Sequence, residues 1–559
     1  MDPETVIATG NARWISRCLL AVVLIAILLR VWQIAEPLWI DELHTSWVVS
    51  GAFEDVAPRA RMGNQGPFYF WCVWLATQVC GHSEAALRLS SMVAGALAVW
   101  LAARVVIRHG GSLESGCIAS ALIAVDTAAI FYAQEARPYA WVQCLSLLQF
   151  DAWSDGFGWH ADKRKSAAGR WVSVSVLLFY IHYTTLLVTA IQAVLGTIAI
   201  IRSRNRGMPE KVSAIVAVLV AALACGLAWP HVREIFARRE QWKAMTDPAS
   251  IGDLLRMTPT IGLAVPGLFA TLYRLLGSGA SSTVALDARR PTSLGSPSVR
   301  PLIPESLRAP LACALMLLVP MQIVWLLARW EVVNLCHVRY VSSSIIASAC
   351  TAAWGVDLFA SRSVRWSCGA GLVLASIAMS GMLAQWQSDG RIVADRNENW
   401  PALLAEISRR EAGEPHPVFL CANLVEDFRL RSQPSEQFVE YLRFPLLGIY
   451  RLPGVRREIY PLPTHGARRL DVLPAWRASQ PDAASLGDGK RSGRRVNPVQ
   501  PDDRVWVIVR THQSRLAREI LEEFTDRFPT DDARYDRFGD LWLLEIPTGS
   551  PAPARSSAE

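Results

Sequence analysis

The sequence predicts a polytopic α-helical membrane protein that carries a smaller α/β domain at its C-terminal end. Hydrophobic residues make up 52% of the 559 residues and charged residues 19%, whereas a soluble chain carries about 25% charged residues. The apolar residues are grouped in long runs, such as 212–229 and 311–328, which approach the length needed to cross a bilayer. The basic residues lie mainly in the short loops between these runs, as is typical of loops that stay in the cytoplasm.

The basic loops also predict the orientation of the chain. Arg13 and Arg17 precede the first apolar run and place the N-terminus in the cytoplasm. No small-residue cleavage site follows that run, so we expect a retained anchor and not a removed signal peptide. The strongest cytoplasmic signal is the basic cluster at 163–165. The net charge of +7 is spread through such loops, and we interpret it as topology information and not as a sign of a nucleic-acid partner.

About eleven spans satisfy these loops and place the C-terminus outside, in a multi-pass protein of the inner membrane. Arg30 lies near the outer end of the first span, where it can snorkel toward the interface. The apolar stretch 68–79 is short for a span and suits an interfacial or re-entrant helix. An amphipathic helix is expected around 232–243, and a polar cytoplasmic loop at 278–309. The predicted spans are about 18–35, 86–107, 114–132, 138–153, two within 171–201 that break near His182, 212–229, 255–276, 310–328, 339–360 and 367–386.

The composition changes from about residue 387, which divides the chain into a transmembrane catalytic domain at 1–386 and an extracytoplasmic α/β domain at 387–559. Three short apolar runs predict strands in the second domain, and two stretches with helical periodicity predict helices. A segment rich in Pro, Arg and Gly, about 461–503, and the tail after 547 are expected to be disordered. The strands are predicted at 418–422, 505–509 and 541–546, and the helices at 401–410 and 513–524.

Several common classes of site have no support in the sequence. Most of the 11 cysteines lie inside apolar runs and none forms a C-x-x-C pair, so neither a disulfide framework nor a zinc site is indicated. No H-E-x-x-H, Gly-rich phosphate loop or G-x-S-x-G motif occurs, so the metalloprotease and NTPase classes have no support.

The stretch that draws attention is Asp41-Glu42, which lies between Trp39 and Trp47 just after the first apolar run. Tryptophan is enriched at membrane–water interfaces, so the two carboxylates are expected near the headgroup level, where they remain ionised. An ordinary polar loop that ends a span is the alternative. Asp126 lies deeper, in the third span, and its expected role is a hydrogen bond in helix packing.

On the predicted topology, polar residues from several loops converge on the outer face. Charges at membrane depth cost about 2.5–3.5 kcal/mol each, so they usually mark pathways or sites. A carboxylate can take the proton from an attacking hydroxyl, and arginines can hold a departing phosphate. The candidates are Asp41, Glu42, His44, Gln65, Arg88, Gln134, Glu135, Arg137, His182, Arg339 and Tyr340.

Simpler interpretations exist for several of these candidates. Arg88 and Arg339 lie at span ends and can be interfacial anchors. His182 can be a satisfied histidine of the helix core. Glu135 and Arg137 can be a solvated loop pair.

Taken together, these motifs resemble a family of membrane enzymes, the polyprenyl-phosphate-sugar-dependent glycosyltransferases of the type-C fold. Those enzymes are similar to the protein O-mannosyltransferases and the lipid A aminoarabinose transferases. The resemblance covers residues 15–205 well and 310–440 loosely. The matching stretches are Leu38-Trp39-Ile40-Asp41-Glu42, Leu87-Arg88-Leu89-Ser90-Ser91, Tyr132-Ala133-Gln134-Glu135-Ala136-Arg137-Pro138-Tyr139, Arg339-Tyr340 and Asn399-Trp400-Pro401.

The resemblance implies that Asp41 is the catalytic base, with Glu42 beside it, and that Glu135 and Arg137 border the same cavity. One position departs from the family, in which His-Pro-Pro commonly opens the short helix, whereas this chain has Gln65-Gly66-Pro67. A metal or phosphate contact from this position is therefore an open question. Some relatives use a divalent metal and others none, so we assign no metal and no other cofactor.

The predicted function is the transfer of a sugar, a hexose or a pentose, from a polyprenyl-phosphate carrier to an acceptor on the outer face of the inner membrane. The acceptor is a lipid, a glycan or a protein, and the sugar is attacked in line with inversion, as the resemblance implies. The expected partners are the lipid-linked donor, the acceptor and membrane lipids. The alternative class is a flippase or transporter of a lipid-linked glycan, in which intramembrane charges line a pathway.

Overall fold

The computed structural model is mostly helical and contains one small sheet. Parts of three predicted segments lie outside the described residues: the amphipathic helix at 232–243, the loop at 278–309 and the insertion at 461–503. The tail after 547 lies outside them entirely. The structure describes residues 3–63, 65–157, 164–202, 208–237, 239, 249–257, 261–277, 305–357, 359–411, 415–432, 435–452, 458–464, 469, 504–527 and 533–547.

The chain divides into two compact units that are not continuous in sequence. The first, which we call the membrane unit, comprises residues 1–34, 64–73 and 88–394, and the second, the α/β unit, comprises 35–63, 74–87 and 395–559. The predicted boundary at 387 lies close to the last of these divisions. The sequence did not indicate that the stretch containing Asp41 groups with the C-terminal domain.

Helices account for nearly all of the described residues up to residue 389. The predicted break near His182 is confirmed, because one helix ends at Ile181 and a 3₁₀ turn at Tyr183–Thr185 follows. The helices are α1 Pro3–Val31, α2 Ile40–Val49, α3 Phe53–Met62, α4 Phe68–Cys80, α5 Glu84–Arg108, α6 Leu113–Val125, α7 Thr127–Ala133, α8 Tyr139–Phe157, α9 Arg164–Ile181, α10 Leu186–Arg202, α11 Met208–Gly226, α12 Trp229–Ala237, α13 Ile251–Arg256, α14 Ile261–Gly277, α15 Glu305–Arg329, α16 Ser343–Val356, α17 Arg362–Met379 and α18 Met382–Asp389.

Four of the described helices are long and apolar enough to cross a membrane, and seven spans result if each of three bent pairs counts as one. Shorter apolar helices lie at 166–181, 262–273 and 343–356 and overlap the positions predicted for further spans. The chain is thus a membrane protein, and the number eleven stays a prediction. The third predicted span, 114–132, is not one straight helix, because α6 and α7 meet at an angle of 65°.

The bend between α6 and α7 is stabilised by Asp126 and Arg30. Asp126 is the N-cap of α7 and its Oδ1 accepts from the N–H of Ala129 at 2.8 Å, the usual role of an aspartate at a helix start. The last carbonyls of α6 have no helical partner, and the Arg30 guanidinium donates to those of Ile123 and Ala124 at 3.1 and 3.3 Å. Arg30 is therefore fully buried, and the expectation that it snorkels is wrong.

Close helix approach in the membrane unit depends on glycine. A Cβ at Gly267 of α14 would overlap the carbonyl oxygen of Thr351 in α16, and one at Gly355 would overlap the backbone of Gly267. Small residues of this kind let helix backbones approach within membranes. The apolar core of the unit then extends over α5, α6, α8 and α16.

The α/β unit contains a five-stranded sheet with the order β2-β1-β3-β5-β4. The strands β1, β2 and β3 are parallel, and β5 pairs antiparallel with both β3 and β4. Its strands are β1 Val418–Cys421, β2 Ile459–Pro461, β3 Arg504–Arg510, β4 Arg534–Phe538 and β5 Leu541–Pro547, and its C-terminal helices are α19 Trp400–Glu411, α20 Arg429–Ser432, α21 Glu436–Leu447 and α22 Ser514–Arg527.

The centre of the sheet is its most apolar part. Residues 505–509 of β3 are all buried, as expected for a strand with neighbours on both edges and cover on both faces. The predicted strands at 418–422, 505–509 and 541–546 and the helices at 401–410 and 513–524 are confirmed as β1, β3, β5, α19 and α22.

Candidate active site

The two adjacent carboxylates lie in the first turn of α2, within the α/β unit. Acidic side chains are favourable there because the N-terminal end of a helix carries partial positive charge. Glu42 is fully buried, and its Oε2 lies 3.4 Å from Nε of Arg396 and accepts from the N–H of Trp39 at 3.5 Å. Arg396 also pairs with Glu36 at 3.5 Å. Asp41 is only partly buried, so the two carboxylates have different surroundings.

His44 belongs to a tightly packed aromatic group in the α/β unit. Its ring meets that of Tyr441 edge-on at 5.2 Å, and Tyr441 packs against Trp47 at 4.9 Å. Gly63 approaches the imidazole so closely that a Cβ there would overlap it. The structure thus gives His44 a packing role, and its predicted role in substrate binding stays a prediction.

In the membrane unit, the turn after α7 is held by hydrogen bonds to its backbone and to its side chains. Ser91 donates to the carbonyl of Arg137 at 3.0 Å and contacts the hydroxyl of Tyr69 at 3.1 Å. Gln65, with its amide oxygen turned toward the guanidinium, accepts from Nη1 of Arg137 at 2.9 Å and also from Nη2. Gln134 donates to the carbonyl of Leu29 at 2.9 Å. The guanidinium of Arg137 is therefore oriented by a residue from a distant loop.

Gly66 is the residue that allows this loop to approach. A Cβ at this position would overlap the carbonyl oxygen of Tyr180 in α9. The departure from the His-Pro-Pro pattern thus has a steric basis in this chain, since only glycine fits beside Tyr180. Gln65 contributes an amide oxygen where the resemblance implies a histidine ring.

Four aromatic rings form a continuous row beside this turn. Tyr132 and Tyr139 lie 5.0 Å apart, Tyr139 and His182 lie 5.6 Å apart, and His182 and Tyr340 lie 5.9 Å apart, all between ring centroids. Thr184 joins the last two residues, because its hydroxyl donates to the carbonyl of Tyr340 at 2.9 Å and contacts Nδ1 of His182 at 2.7 Å. The break between α9 and α10 is what presents His182 to the row.

Two arginines lie around His182. Its imidazole interacts electrostatically with Arg137 and Arg339, and the guanidinium of Arg339 lies 5.1 Å from the ring centroid of Tyr340. Glu135 is buried and interacts electrostatically with Tyr132, as does Arg339. We call Arg137, Arg339 and the aromatic row the arginine cluster. Its two positive charges can bind an anion in a largely desolvated environment.

Arg88 holds the chain segment that follows α1. It is fully buried, and its Nη1 donates to the carbonyl of Ile34, just beyond the end of α1, at 2.8 Å. Interfacial anchors keep their charge in water, so that alternative does not hold for Arg88. Its role in binding substrate stays a prediction.

Within the described ranges, no three His, Cys, Asp or Glu side chains gather where they would hold a metal ion.

Three charged residues near Asp41 were not found from the sequence. Arg396 pairs with Glu36 and Glu42, Glu398 accepts from the N–H of Ile40 at 2.8 Å, and Arg510 donates to Glu398 at 2.6 Å. They lie more than 350 positions after Asp41 in the chain. The one available signal was the Asn399-Trp400-Pro401 motif directly beside Glu398.

Neither a protein-family model nor a curated protein matches the sequence. Among solved structures, the chain is similar to ArnT from Cupriavidus metallidurans, in the apo state with a TM-score of 0.40 and bound to undecaprenyl phosphate with a TM-score of 0.37. Each match has 12% identity and covers 98% of this chain and 100% of ArnT. The arabinofuranosyltransferase AftD from mycobacteria matches with a TM-score of 0.44 and 13% identity, over 96% of this chain and 42% of AftD.

AftD is named as an arabinofuranosyltransferase, and one of the two ArnT structures holds undecaprenyl phosphate. All three TM-scores are below 0.5. The function of this chain therefore rests on its own residues.

Proposed function

We propose that the chain is a membrane glycosyltransferase that moves a sugar from a polyprenyl-phosphate carrier to an acceptor on the outer face of the inner membrane. The observation that carries the proposal is the arginine cluster in the membrane unit. Arg137 is 7% exposed, and Arg339 and His182 lie close enough to interact. Buried positive charge in a membrane protein is costly, so it usually marks a site that binds an anion or another charged group. A lipid phosphate is an anion that the membrane supplies.

The cluster suits a phosphate that becomes a leaving group. As the bond to the sugar breaks, negative charge develops on the phosphate oxygens, and guanidinium groups fixed beforehand stabilise it without reorganising. Gln65 and the backbone turn hold Arg137 in place before substrate binds. The aromatic row offers the flat apolar surface on which a sugar or an isoprenoid unit packs.

Asp41 is the proposed base. It is partly exposed, whereas Glu42 is buried against Arg396. A partly exposed carboxylate at a helix start can remain ionised and accept the proton of the acceptor hydroxyl. The hydroxyl oxygen then forms a bond to the anomeric carbon while the bond to the carrier phosphate breaks, with inversion at that carbon.

The donor class is tested with purified protein in detergent. A radiolabelled polyprenyl-phosphate sugar and a cell-envelope extract as acceptor source should give a labelled product, whereas the matched nucleotide sugar should give none. Detergent removes the two membrane sides, so a flippase cannot score in this assay. Product from the nucleotide sugar alone would refute the donor class, and lipid movement in liposomes without a new glycosidic bond would favour the transporter.

The residues are tested in the same assay. Asp41→Asn keeps the shape of the side chain but is a far weaker base, and loss of a general base typically costs about 10²–10⁴-fold in rate. Arg137→Ala should weaken donor use strongly, while Arg104→Ala, which removes an exposed arginine beside Trp100, should have little effect. Near-wild-type turnover by a well-expressed Asp41→Asn protein would make Asp41 a structural residue.

A further inference from the structure

The helix that carries Asp41 starts without a capping residue of its own. Its N-cap is Trp39, whose indole has no oxygen and makes no capping hydrogen bond. The first N–H groups of any helix need acceptors from outside it, which Ser, Thr, Asp or Asn at the N-cap usually provide. Ile40, the first residue of α2, is 3% exposed, so water is a poor substitute for this acceptor.

The acceptor for the first N–H of α2, that of Ile40, comes from Glu398, which lies 358 positions later in the chain. Its Oε2 accepts from the N–H of Ile40 at 2.8 Å and from the indole of Trp400 at 2.9 Å, and its Oε1 accepts from Nε of Arg510 at 2.6 Å. Burial raises the pKa of the Glu398 carboxyl, and the Arg510 guanidinium opposes that rise. Arg510 therefore favours the ionised form of this acceptor and also orients it.

Glu398 is itself fixed to the sheet. The residue before it, Asn397, has a left-handed backbone with φ of 56°, and its carbonyl accepts from the N–H of Asp540 at 2.5 Å. Glu398 forms an isolated bridge with Gly539, where a side chain would overlap the backbone of Asn397. Arg510 ends β3 and also donates to the carbonyl of Asn423 at 3.4 Å. The acceptor is thus held from both the β3 end and the β4–β5 turn.

We propose that Glu398 and Arg510 are positioning residues for Asp41, through which the sheet of the α/β unit holds the first turn of α2 in its reactive geometry. The catalytic part of this inference rests on the proposed function, because it takes Asp41 as the base. A carboxylate at this position caps the turn and lies at the positive end of the helix. Displacement of a reacting group by about 1 Å can lower a rate by about 10²-fold, so loss of the cap should lower kcat without changing the donor site.

The test compares two buried glutamates with the same kind of partners. Glu398→Ala removes the acceptor of Ile40. Glu411→Ala is the matched control, because Glu411 is 7% exposed and accepts from the indole of Trp506 at 2.8 Å and from the N–H of His416 at 3.1 Å, far along the chain from α2. Both variants of the full-length protein are examined by hydrogen–deuterium exchange of the peptide 38–49 and by kinetics with the polyprenyl-phosphate sugar.

Glu398→Ala should speed hydrogen–deuterium exchange in the first turn of α2 and lower kcat by about 10–100-fold. The KM for the donor should stay within about twofold of wild type, because the proposed donor-binding residues are unchanged. Glu411→Ala should leave both unchanged. Arg510→Ala should behave like Glu398→Ala, and Arg510→Lys should recover most of the rate because it restores a positive partner for Glu398.

Unchanged exchange at 38–49 in Glu398→Ala would overturn the positioning role, and so would equal losses in Glu398→Ala and Glu411→Ala. The exchange measurement does not depend on turnover. Faster exchange in Glu398→Ala together with no transfer by wild-type protein would therefore support the positioning of α2 while refuting the proposed function.

Discussion

Neighbouring side chains on one helical turn can have different chemistry when only one of them is enclosed. Glu42 is buried and lies beside Arg396 at 3.4 Å, while Asp41 on the same turn is partly exposed. A buried charge needs its partner, so Glu42 is committed to holding the turn. The two carboxylates look alike in sequence but have different surroundings, which is why Asp41 is the proposed base.

Gly66 provides the test of how Arg137 is oriented. Gly66→Ala places a methyl group where the carbonyl oxygen of Tyr180 lies, so the loop must move and take Gln65 with it. We expect the rate with low concentrations of the polyprenyl-phosphate sugar to fall about tenfold or more, because Arg137 loses the acceptor that orients it. The measurement is kcat/KM for the donor in detergent.

The control is a glycine in the same helix as Tyr180. Gly169 lies in α9, and a Cβ there meets nothing within 4 Å. Gly169→Ala should leave donor kinetics unchanged and, being a Gly-to-Ala change inside a helix, should not destabilise the protein. Equal kinetics for Gly66→Ala and wild type would show that Gln65 does not orient Arg137 for catalysis.

At the scale of elements, the break between α6 and α7 shows why an apolar run is a poor guide to helix straightness. Residues 114–132 read as one span, yet α6 ends before Asp126 because this side chain caps the next helix. Arg30 then satisfies the open carbonyls of α6. The sequence contains both residues, but their pairing joins positions almost 100 residues apart and is not visible in a local pattern.

A second element held by a buried carboxylate is the 3₁₀ turn Val425–Phe428 after β1. Asp427 is 1% exposed, and its Oδ2 accepts from the N–H of Thr464 at 3.0 Å and from the Thr464 hydroxyl. Burial raises the pKa of Asp427 to about 7. An aspartate in an unfolded chain has a pKa of about 3.9. Between about pH 4 and pH 7 the folded protein therefore binds more protons than the unfolded one.

This difference in pKa predicts how stability depends on pH. The contribution of Asp427 to the free energy of unfolding is fully present below about pH 4, falls as the pH rises and is lost above about pH 7. Asp427→Asn does not titrate. The thermal midpoint of each purified protein is followed by tryptophan fluorescence. The midpoint of wild type minus that of Asp427→Asn should be larger at pH 5 than at pH 8.

Glu522→Gln is the control for this measurement, because Glu522 is an exposed carboxylate in the same unit. Its difference from wild type should stay nearly constant over the same pH range. A wild-type advantage over Asp427→Asn that grows with pH would contradict the raised pKa of Asp427.

The elements found from the sequence are those whose residues form a clear local pattern. β1, β3 and β5 are apolar runs and were predicted. β2 has only three residues. β4 mixes charged with aromatic residues and lies at the edge of the sheet, where all five of its residues are partly or fully exposed. Neither sequence has the pattern of a buried strand. α21 was also missed. The site divides in the same way, since the Asp41 and Arg137 motifs were found and the long-range partners Glu398 and Arg510 were not.

For the whole molecule, the number and direction of the spans decide on which side of the membrane each part works. In the part of the chain that the structure describes, up to seven spans follow from length and composition if each bent pair is counted once. The basic loops favour about eleven spans, an odd number that predicts the chain ends on opposite sides. An impermeant thiol reagent shows on which side of the membrane an introduced cysteine lies. The cysteine must be exposed to react, so Thr45, which is fully buried, is not a suitable position.

Three exposed positions test the orientation. We expect cysteines at Glu54 and Glu522 to be labelled in intact spheroplasts, because both lie in segments predicted outside, and a cysteine at Ser363 to be labelled only after the membrane is opened. Of the 11 native cysteines, Cys72 and Cys80 are the exposed ones, so replacing these two by serine gives a background in which the buried thiols of the core are retained.

Labelling at Ser363 but not at Glu54 in intact spheroplasts would reverse the orientation and place Asp41 in the cytoplasm. A donor presented in the outer leaflet would then be excluded. Labelling at Glu54 without labelling at Glu522 would instead mean an odd number of spans after α3, so the predicted topology would be wrong while the outer position of Asp41 would stand.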